Sequence, residues 1–193
     1  MTPATPGPRP ACVPGDVTII AARPAGQRRR RRRRLPGPHR RPRLPFADAS
    51  FDVVISQHVQ MNVADKDRLY AEARRVLAPG GRLAIWDITV AGPGELDYPL
   101  PWADQPGRSH LATPGQLRAA IESAGLEVAH WTDLTEPAAA LMVSVLARPP
   151  EPLGLHAFVP SFAVKARNLT RGLTAGHLRV IQGIALRATL RSP

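Results

Sequence analysis

Apolar residues recur along positions 44–193 with two spacings, one typical of strands and one typical of helices. The continuous run Phe51-Asp-Val-Val-Ile-Ser predicts a short strand, because strands covered on both faces of a parallel sheet carry few polar positions. A helical repeat of apolar residues that includes Leu69 then predicts a helix over residues 65–78. Further strands are predicted over residues 82–88, 126–134 and 178–186, and further helices over residues 138–147 and 161–174.

Glycine, proline and capping residues mark the ends of these elements. Pro79-Gly80-Gly81 is expected to stop the first helix and turn the chain toward the next strand. Thr113-Pro114-Gly115-Gln116 has the spacing of a capping box with proline at the first helical position, and Gly125 is expected to end the helix that begins there. The order strand, helix, strand, helix, strand indicates an α/β fold with a parallel sheet.

Residues 1–43 differ in composition from the rest of the chain. They hold 12 arginines, seven of them consecutive at Arg28 to Arg34, against one acidic residue, Asp16. Their formal charge of +11 equals that of the whole chain, so residues 44–193 are neutral overall. Repulsion between adjacent arginines, together with nine prolines, predicts a disordered segment in which only residues 17–22 resemble a strand. The remaining residues suffice for one domain with a single core.

The composition argues against several classes of protein and of binding site. The single cysteine, Cys12, excludes a disulfide framework, and the histidines lack metal-ligand spacing, so we expect no metal site. No apolar run approaches the roughly 18–20 residues that a membrane helix needs. We therefore expect a cytoplasmic protein with no membrane partner.

Two stretches, taken together, resemble a known family. Leu44-Pro-Phe-Ala-Asp-Ala-Ser-Phe-Asp-Val-Val-Ile-Ser56 is followed by Ala71-Glu-Ala-Arg-Arg-Val-Leu-Ala-Pro-Gly-Gly-Arg-Leu-Ala-Ile85. In this order and spacing they are similar to the fourth-strand to fifth-strand region of class I S-adenosylmethionine-dependent methyltransferases, and above all to the group called methyltransferase type 11. The resemblance covers most of residues 44–186, which correspond to the C-terminal half of the family's domain.

This resemblance implies a fold and a function. The fold would be a partial Rossmann-like methyltransferase sheet, mostly parallel with an antiparallel last strand, flanked by helices. Residues 1–43 would form a disordered tail, and residues 44–193 a truncated methyltransferase domain. The chain would transfer a methyl group from its cofactor, S-adenosyl-L-methionine, to a small-molecule acceptor. That acceptor is expected to bind between the loop 91–112 and the segment 149–160.

The carboxyl ends of the strands form the expected ligand-binding edge, as in other open α/β sheets. Ser56, Gln57 and His58 follow the first strand, and Asp87 ends the second. In the resembled family the segment after the fourth strand lies beside the methionyl part of the donor. Ser56, Gln57, His58 and Met61 are therefore the predicted cofactor-binding residues, and His58 is the candidate general base. The alternative for His58 is a hydrogen-bonded loop residue, and the alternative for Asp87 is a cap of the loop that follows it.

The family's cofactor cradle is missing from residues 1–43. In the family, a glycine-rich loop follows the first strand and an acidic residue ends the second, but no G-x-G precedes Leu44 here. Arg40 and Arg41 stand where the family usually has an Asp-Ala pair, with the aspartate near the adenine. We therefore expect this chain to bind the donor weakly or not at all. We interpret the arginine-rich segment as sequence from a GC-rich gene read out of frame.

Two alternatives belong to other functional classes. The arginine tail could bind the phosphates of a nucleic acid while the domain serves as a scaffold, although the tail has no aromatic residue to stack on bases. The chain could instead be a non-catalytic partner of a complete methyltransferase and dock through the exposed side of its half-sheet.

Overall fold

The computed structural model describes residues 19–22, 44–92, 94–148 and 159–189. These residues form five strands and four α-helices. In chain order they are β1 (Ile19–Ala22), β2 (Phe51–Gln57), α1 (Lys66–Val76), β3 (Leu77–Val90), α2 (Pro114–Ser123), β4 (Leu126–Asp133), α3 (Thr135–Leu146), α4 (Phe162–Thr174) and β5 (Leu178–Arg187). Over the described ranges, no helix is both long enough and apolar enough to cross a membrane.

The strands form one sheet in the order β1-β2-β3-β5-β4. β2 pairs with β3 in parallel, whereas β5 lies between β3 and β4 and is antiparallel to both. β2, β3 and β4 consequently run in the same direction. The predicted α/β sheet with an antiparallel last strand is confirmed, and the sheet is mixed, since β2 with β3 is its one parallel pair among the described strands.

β1 lies inside the segment that the sequence predicts to be disordered, at the one place where that segment resembles a strand. It pairs antiparallel with β2, with Ile19 opposite Ser56 and Ala22 opposite Val53. Residues 1–18 and 23–43, and the arginine tract with them, lie outside the described residues.

α1 begins as predicted and ends earlier than predicted. Asp65 precedes the helix, and its carboxylate accepts a hydrogen bond from the Arg68 amide as an N-cap. The prediction extended the helix to residue 78, and this end was wrong. α1 ends at Val76 because Leu77 already pairs with Phe51 in the sheet.

The Pro79-Gly80-Gly81 sequence lies within β3, where the prediction placed a turn before the strand. It falls between Leu77 and Arg82, whose partners on β2 are Phe51 and Val53, so β3 bulges at this point. Gly80 has φ +76°, a left-handed conformation that suits glycine. The helix break is thus a strand bulge stabilised by pairing with β2.

Local capping signals specify α2. The Thr113 hydroxyl accepts a hydrogen bond from the Gln116 amide, and the Gln116 side chain accepts one from the Thr113 amide. Gly125, just past the helix, has φ +79°. The predicted capping box and C-terminal glycine are therefore confirmed.

Helices pack on both faces of the sheet. α1 and α2 cover the face that carries Leu83 and Ile85, where Tyr70 is fully buried. α3 and α4 cover the opposite face near Ile88, at the carboxyl end of β3. Trp86 lies two positions before Ile88 on the strand, so its side chain is on this same second face. It is nevertheless 38% exposed. The second face is thus covered at one end and open beyond it.

The first motif of the family resemblance is attached to the second by Arg75 on α1. Its guanidinium donates hydrogen bonds to the backbone carbonyls of Leu44 and Phe46 and to the Asp48 carboxylate, and it also pairs with Glu72. Glu72 in turn accepts a hydrogen bond from the Leu44 amide at 2.8 Å. These contacts explain why the two sequence stretches occur together, since each supplies partners for the other.

Candidate functional site

The carboxyl ends of β2 and β3 are adjacent, and the chain leaves β2 in a sharp turn. Gln57 pairs with Trp86 across the two parallel strands. His58 follows with φ +53°, and its amide donates a hydrogen bond to the Trp86 carbonyl at 2.9 Å. A left-handed conformation costs a residue other than glycine about 1 kcal/mol. Contacts of the neighbouring residues must therefore stabilise this turn.

Asp87 is completely buried at the end of β3 and faces the turn. Its Oδ1 accepts hydrogen bonds from the amides of Val59 at 2.8 Å and Gln60 at 3.2 Å, and its Oδ2 accepts one from the Ser56 hydroxyl at 3.3 Å. Burial raises the pKa of Asp87 to about 7, because these hydrogen bonds and the charge of Lys66 only partly offset the loss of solvent. The carboxyl group is therefore present in both protonation states near neutral pH.

Two polar side chains close to Asp87 are also buried. Gln60 donates a hydrogen bond from Nε2 to the Ile88 carbonyl. Its Oε1 and the Tyr70 hydroxyl have no hydrogen-bond partner within the described part of the chain. Burial, followed by the charge of Asp87, raises the pKa of Tyr70, so the phenol stays protonated at neutral pH. The carboxyl ends of β2 and β3 thus enclose a polar cluster in an otherwise apolar layer.

A cleft opens beside this turn on the side of α4. It has a volume of about 410 Å³ and is lined by His58, Met61, Asn62, Ile88, Pro101, Trp102 and Leu169. Trp102 is half-buried and donates a hydrogen bond from its indole nitrogen to the Ser109 hydroxyl at 2.9 Å. The loop 91–112 therefore contributes a wall of the cleft, as the sequence predicts for the acceptor pocket. Most of segment 149–160, its other predicted wall, lies outside the described residues.

His58 contributes a neutral imidazole to the cleft. Loss of solvent lowers the pKa of His58 below the usual value, although the residue as a whole remains exposed. A histidine with a lowered pKa in the folded state stabilises the fold above its unfolded pKa, and this contribution is lost as the pH falls through the folded value. At neutral pH the ring can therefore accept a proton, as a general base must.

The structure brings together two of the four predicted site residues. His58 and Met61 both line the cleft, and Met61 is 1% exposed. Ser56 is buried and directs its hydroxyl to Asp87, while Gln57 is exposed beside Trp86. No contact in the described residues tests whether any of them binds a cofactor, so these roles remain predictions.

Sequence reasoning missed Gln60 and Tyr70 altogether. For Asp87, the predicted cap of the following loop was wrong, since its carboxylate accepts the amide protons of Val59 and Gln60 in the turn after β2. A signal was present, because an aspartate inside the apolar run Leu-Ala-Ile-Trp-Asp-Ile-Thr-Val must be buried with partners. For Gln60 and Tyr70 the sequence contains no comparable signal.

A second, larger hollow of about 760 Å³ lies between α3 and the start of β5. Val143, Leu173 and Arg179 are among its lining residues, and none of the four predicted site residues is among them. The cleft at His58 is the better candidate site, because it lies at the carboxyl ends of parallel strands.

The described residues suit only part of S-adenosylmethionine. The apolar cleft beside His58 and Met61 suits the methyl-bearing end of the molecule and a small acceptor. The ribose and adenine need a close backbone approach and a carboxylate partner. No G-x-G precedes Leu44 in this chain, and arginines occupy positions 40 and 41. The described residues therefore offer a cleft on the predicted acceptor side, whereas residues 1–43 contain no glycine-rich loop for the nucleoside side.

Comparison with known families gives one match. Residues 21–85 match the family model for the type 11 methyltransferase domain, which is about a third of the chain. The sequence motifs placed the start of the resemblance at Leu44. The family match begins earlier, at residue 21, and therefore includes the arginine tract.

Curated relatives each match about half of the chain. A methyltransferase of Streptomyces halstedii named GfsG is 39% identical over an alignment of 99 residues. The alignment covers 48% of this chain and 34% of the relative. A dimethylglycine N-methyltransferase of Parasynechococcus marenigrum is 34% identical over 93 residues, again 48% of this chain and 33% of the relative. The chain thus spans about a third of the length of these relatives.

Solved structures show the same fold. Geranyl diphosphate C-methyltransferase of Streptomyces coelicolor, in complex with geranyl diphosphate and S-adenosyl-L-homocysteine, aligns with TM-score 0.58 at 16% identity and covers 75% of this chain and 49% of its own. The [4+2]-cyclase SpnF aligns with TM-score 0.51 at 21% identity and covers 76% and 53%. At such identities the likeness shows the fold alone.

Together these comparisons confirm the resemblance to class I S-adenosylmethionine-dependent methyltransferases. S-adenosylmethionine, the predicted cofactor, is the methyl donor of that family, and a related solved structure contains it.

Proposed function

We propose that residues 44–189 form the acceptor-binding half of a methyltransferase that acts on a small molecule. The observation that supports it most directly is the cleft of His58, Met61 and Trp102 at the carboxyl ends of β2 and β3. Relatives whose names specify an acceptor act on small molecules, dimethylglycine and geranyl diphosphate among them. The acceptor of this chain belongs to the same class under the proposal.

The residues of the cleft suit methyl transfer. S-adenosylmethionine supplies an activated methyl group, so the protein mainly has to align the acceptor and exclude water. Ile88, Trp102 and Leu169 give the cleft an apolar lining that disfavours water. His58 lies at the same cleft with a lowered pKa and would accept the proton that a hydroxyl or ammonium acceptor loses.

We also propose that the 193-residue chain binds the donor poorly. The nucleoside needs a carboxylate that accepts hydrogen bonds from its ribose hydroxyls and a glycine-rich loop that it can approach closely. Residues 1–43 provide one acidic residue and no such loop. Arginines at positions 40 and 41 place positive charge where the family has an aspartate. A cationic sulfonium donor gains nothing from that charge.

Calorimetry with the 193-residue chain tests the proposed weak binding. We expect a dissociation constant for S-adenosylmethionine weaker than about 1 mM, which corresponds to less than about 4 kcal/mol of binding free energy. S-adenosylhomocysteine, titrated in parallel, should bind as weakly, because it lacks the same nucleoside contacts. One-to-one binding in the micromolar range would contradict the proposed defect and would show that other residues hold the nucleoside.

The charge of residues 1–43 supports a second candidate, phosphate binding to a nucleic acid. All of the net charge of +11 is carried by this segment. If the segment binds single-stranded RNA, filter binding should detect a complex at about 50 mM salt that weakens at least tenfold by about 200 mM. A variant with Arg28 to Arg34 changed to glutamine should lose the complex. Absence of a complex at low salt would eliminate this candidate.

A further inference from the structure

Three consecutive residues at the end of β3 bind three consecutive residues of the turn after β2. The Trp86 carbonyl accepts a hydrogen bond from the His58 amide at 2.9 Å. The Asp87 carboxylate accepts hydrogen bonds from the next two amides, those of Val59 and Gln60, and the Ile88 carbonyl accepts one from the Gln60 side chain. Only one of these three acceptors is a side chain, so only Asp87 makes the arrangement depend on the sequence of β3.

The turn itself is not one that its residues adopt by preference. His58 has φ +53°, a region that side chains other than glycine rarely occupy. The two amides that follow His58 point to the same oxygen, Asp87 Oδ1, at 2.8 and 3.2 Å. A chain that relaxed to an extended conformation at His58 would turn both amides away from that oxygen. The carboxylate and the left-handed conformation therefore stabilise each other.

We propose that Asp87 is the positioning residue of the candidate site. Its buried carboxylate holds the turn after β2, and the turn in turn places the His58 imidazole and the Met61 side chain at the cleft. Asp87 is not among the residues that line the cleft. Its role in methyl transfer rests on the proposed function, whereas its role in shaping the turn does not.

The protonation of Asp87 makes this arrangement observable. The groups that face it are Ser56 on β2, Gln60 in the turn, and Lys66 and Tyr70 on α1. Burial raises the pKa of Asp87 to about 7. A carboxyl whose folded pKa is raised favours the fold at low pH, and this contribution is lost as the pH rises from the unfolded value through about 7. The ionised form nevertheless makes the stronger hydrogen bonds to the two amides.

Amide NMR on the full chain tests the proposal without any ligand. The resonances of Val59 and Gln60 should titrate together with a midpoint near 7, and this titration should disappear in Asp87→Asn. Asn keeps an oxygen acceptor, so the turn should persist, with amide exchange within about threefold of the unmodified chain. Asp87→Ala removes the acceptor and should accelerate exchange of the Val59 amide at least about tenfold.

Two further variants test whether the titration and the slow exchange at Val59 arise from Asp87, and not from His58 or from a general loosening of β3. Thr89→Ala removes a fully buried polar side chain from the same face of β3 without contacting the turn, and it should leave exchange at Val59 unchanged. His58→Gln removes the neighbouring imidazole, whose pKa is lowered by burial, and the Val59 titration should remain. The proposal is overturned if the titration survives in Asp87→Asn, or if Thr89→Ala loosens the turn as much as Asp87→Ala. None of these outcomes depends on donor binding, so they leave the proposed function to its own test.

Discussion

A chimera that joins the N-terminal half of a related methyltransferase to Leu44 of this chain is expected to bind S-adenosylmethionine at least about 100-fold more tightly than the 193-residue chain does. The N-terminal half of the family supplies the glycine-rich loop and the acidic residue that residues 1–43 lack. Hydrogen bonds to a charged group contribute about 1.5–3 kcal/mol each, so two hydrogen bonds that the ribose hydroxyls donate to one carboxylate account for that factor.

The structure gives a second reason to expect that the chimera folds and binds. Strands of a parallel sheet are normally covered on both faces. Trp86 is 38% exposed on a face whose other end is covered by α3 and α4, and Ile55 and Ile184 on the same face are only partly buried. We expect a helical layer from the N-terminal half to cover these apolar residues.

Calorimetry on two matched chimeras measures this effect. The second chimera carries valine at the loop glycines of the added half, which blocks the close backbone approach and leaves the rest of the added segment intact. We expect tight binding by the first chimera and binding as weak as that of the 193-residue chain by the second. Equal affinity of both chimeras would show that the glycine loop is not the missing element, provided that circular dichroism finds both folded.

Gly81→Ala is expected to lower the free energy of unfolding by about 3 kcal/mol, in the range that overpacking of a close-packed site produces. A Cβ at this position would lie 2.8 Å from the Ala78 carbonyl oxygen and 3.1 Å from the Asp52 carbonyl oxygen. The Ala78 oxygen belongs to β3 itself and the Asp52 oxygen to β2, so relief of the clash requires the β3 bulge to change its backbone conformation and β2 to move away from it. Urea denaturation followed by circular dichroism measures the change.

Two other glycines serve as controls for Gly81→Ala. Gly80→Ala introduces a side chain at φ +76° and meets only the flexible Thr189 Cγ2 at 3.2 Å, so its expected loss is about 1–2 kcal/mol. Gly115→Ala lies in α2 with nothing within 4 Å and should be neutral or slightly stabilising. If Gly81→Ala destabilises no more than Gly80→Ala, the close approach of β2 and β3 is not what requires glycine there.

The helix ends show which parts of the fold the sequence can predict. The capping box at Thr113 and Gln116 involves residues three apart, and the structure forms it as expected. The predicted end of α1 was wrong because Leu77 pairs in the sheet with Phe51, which lies 26 positions earlier in the chain. Helical periodicity continues through Leu77, so a reader of the local pattern has no means of anticipating that pairing.

The candidate site divides in the same way. The position of Ser56, Gln57 and His58 at the end of a strand follows from the apolar run before them. Which of these side chains faces the cleft does not follow, because the left-handed turn at His58 changes the direction of the chain. Trp102 reaches the cleft from a loop more than 40 positions later, fixed there by its hydrogen bond to Ser109.

By itself, the sequence determined the α/β class, the order of strands and helices, the resemblance to methyltransferases and the charge boundary at Leu44, because each depends on composition or on spacing over a few residues. The tertiary structure decided the burial of Asp87, the conformation of the turn that it binds and which residues line the cleft. Those features depend on residues about 30 or more positions apart, which only the pairing of β2 with β3 and the packing of α4 bring together.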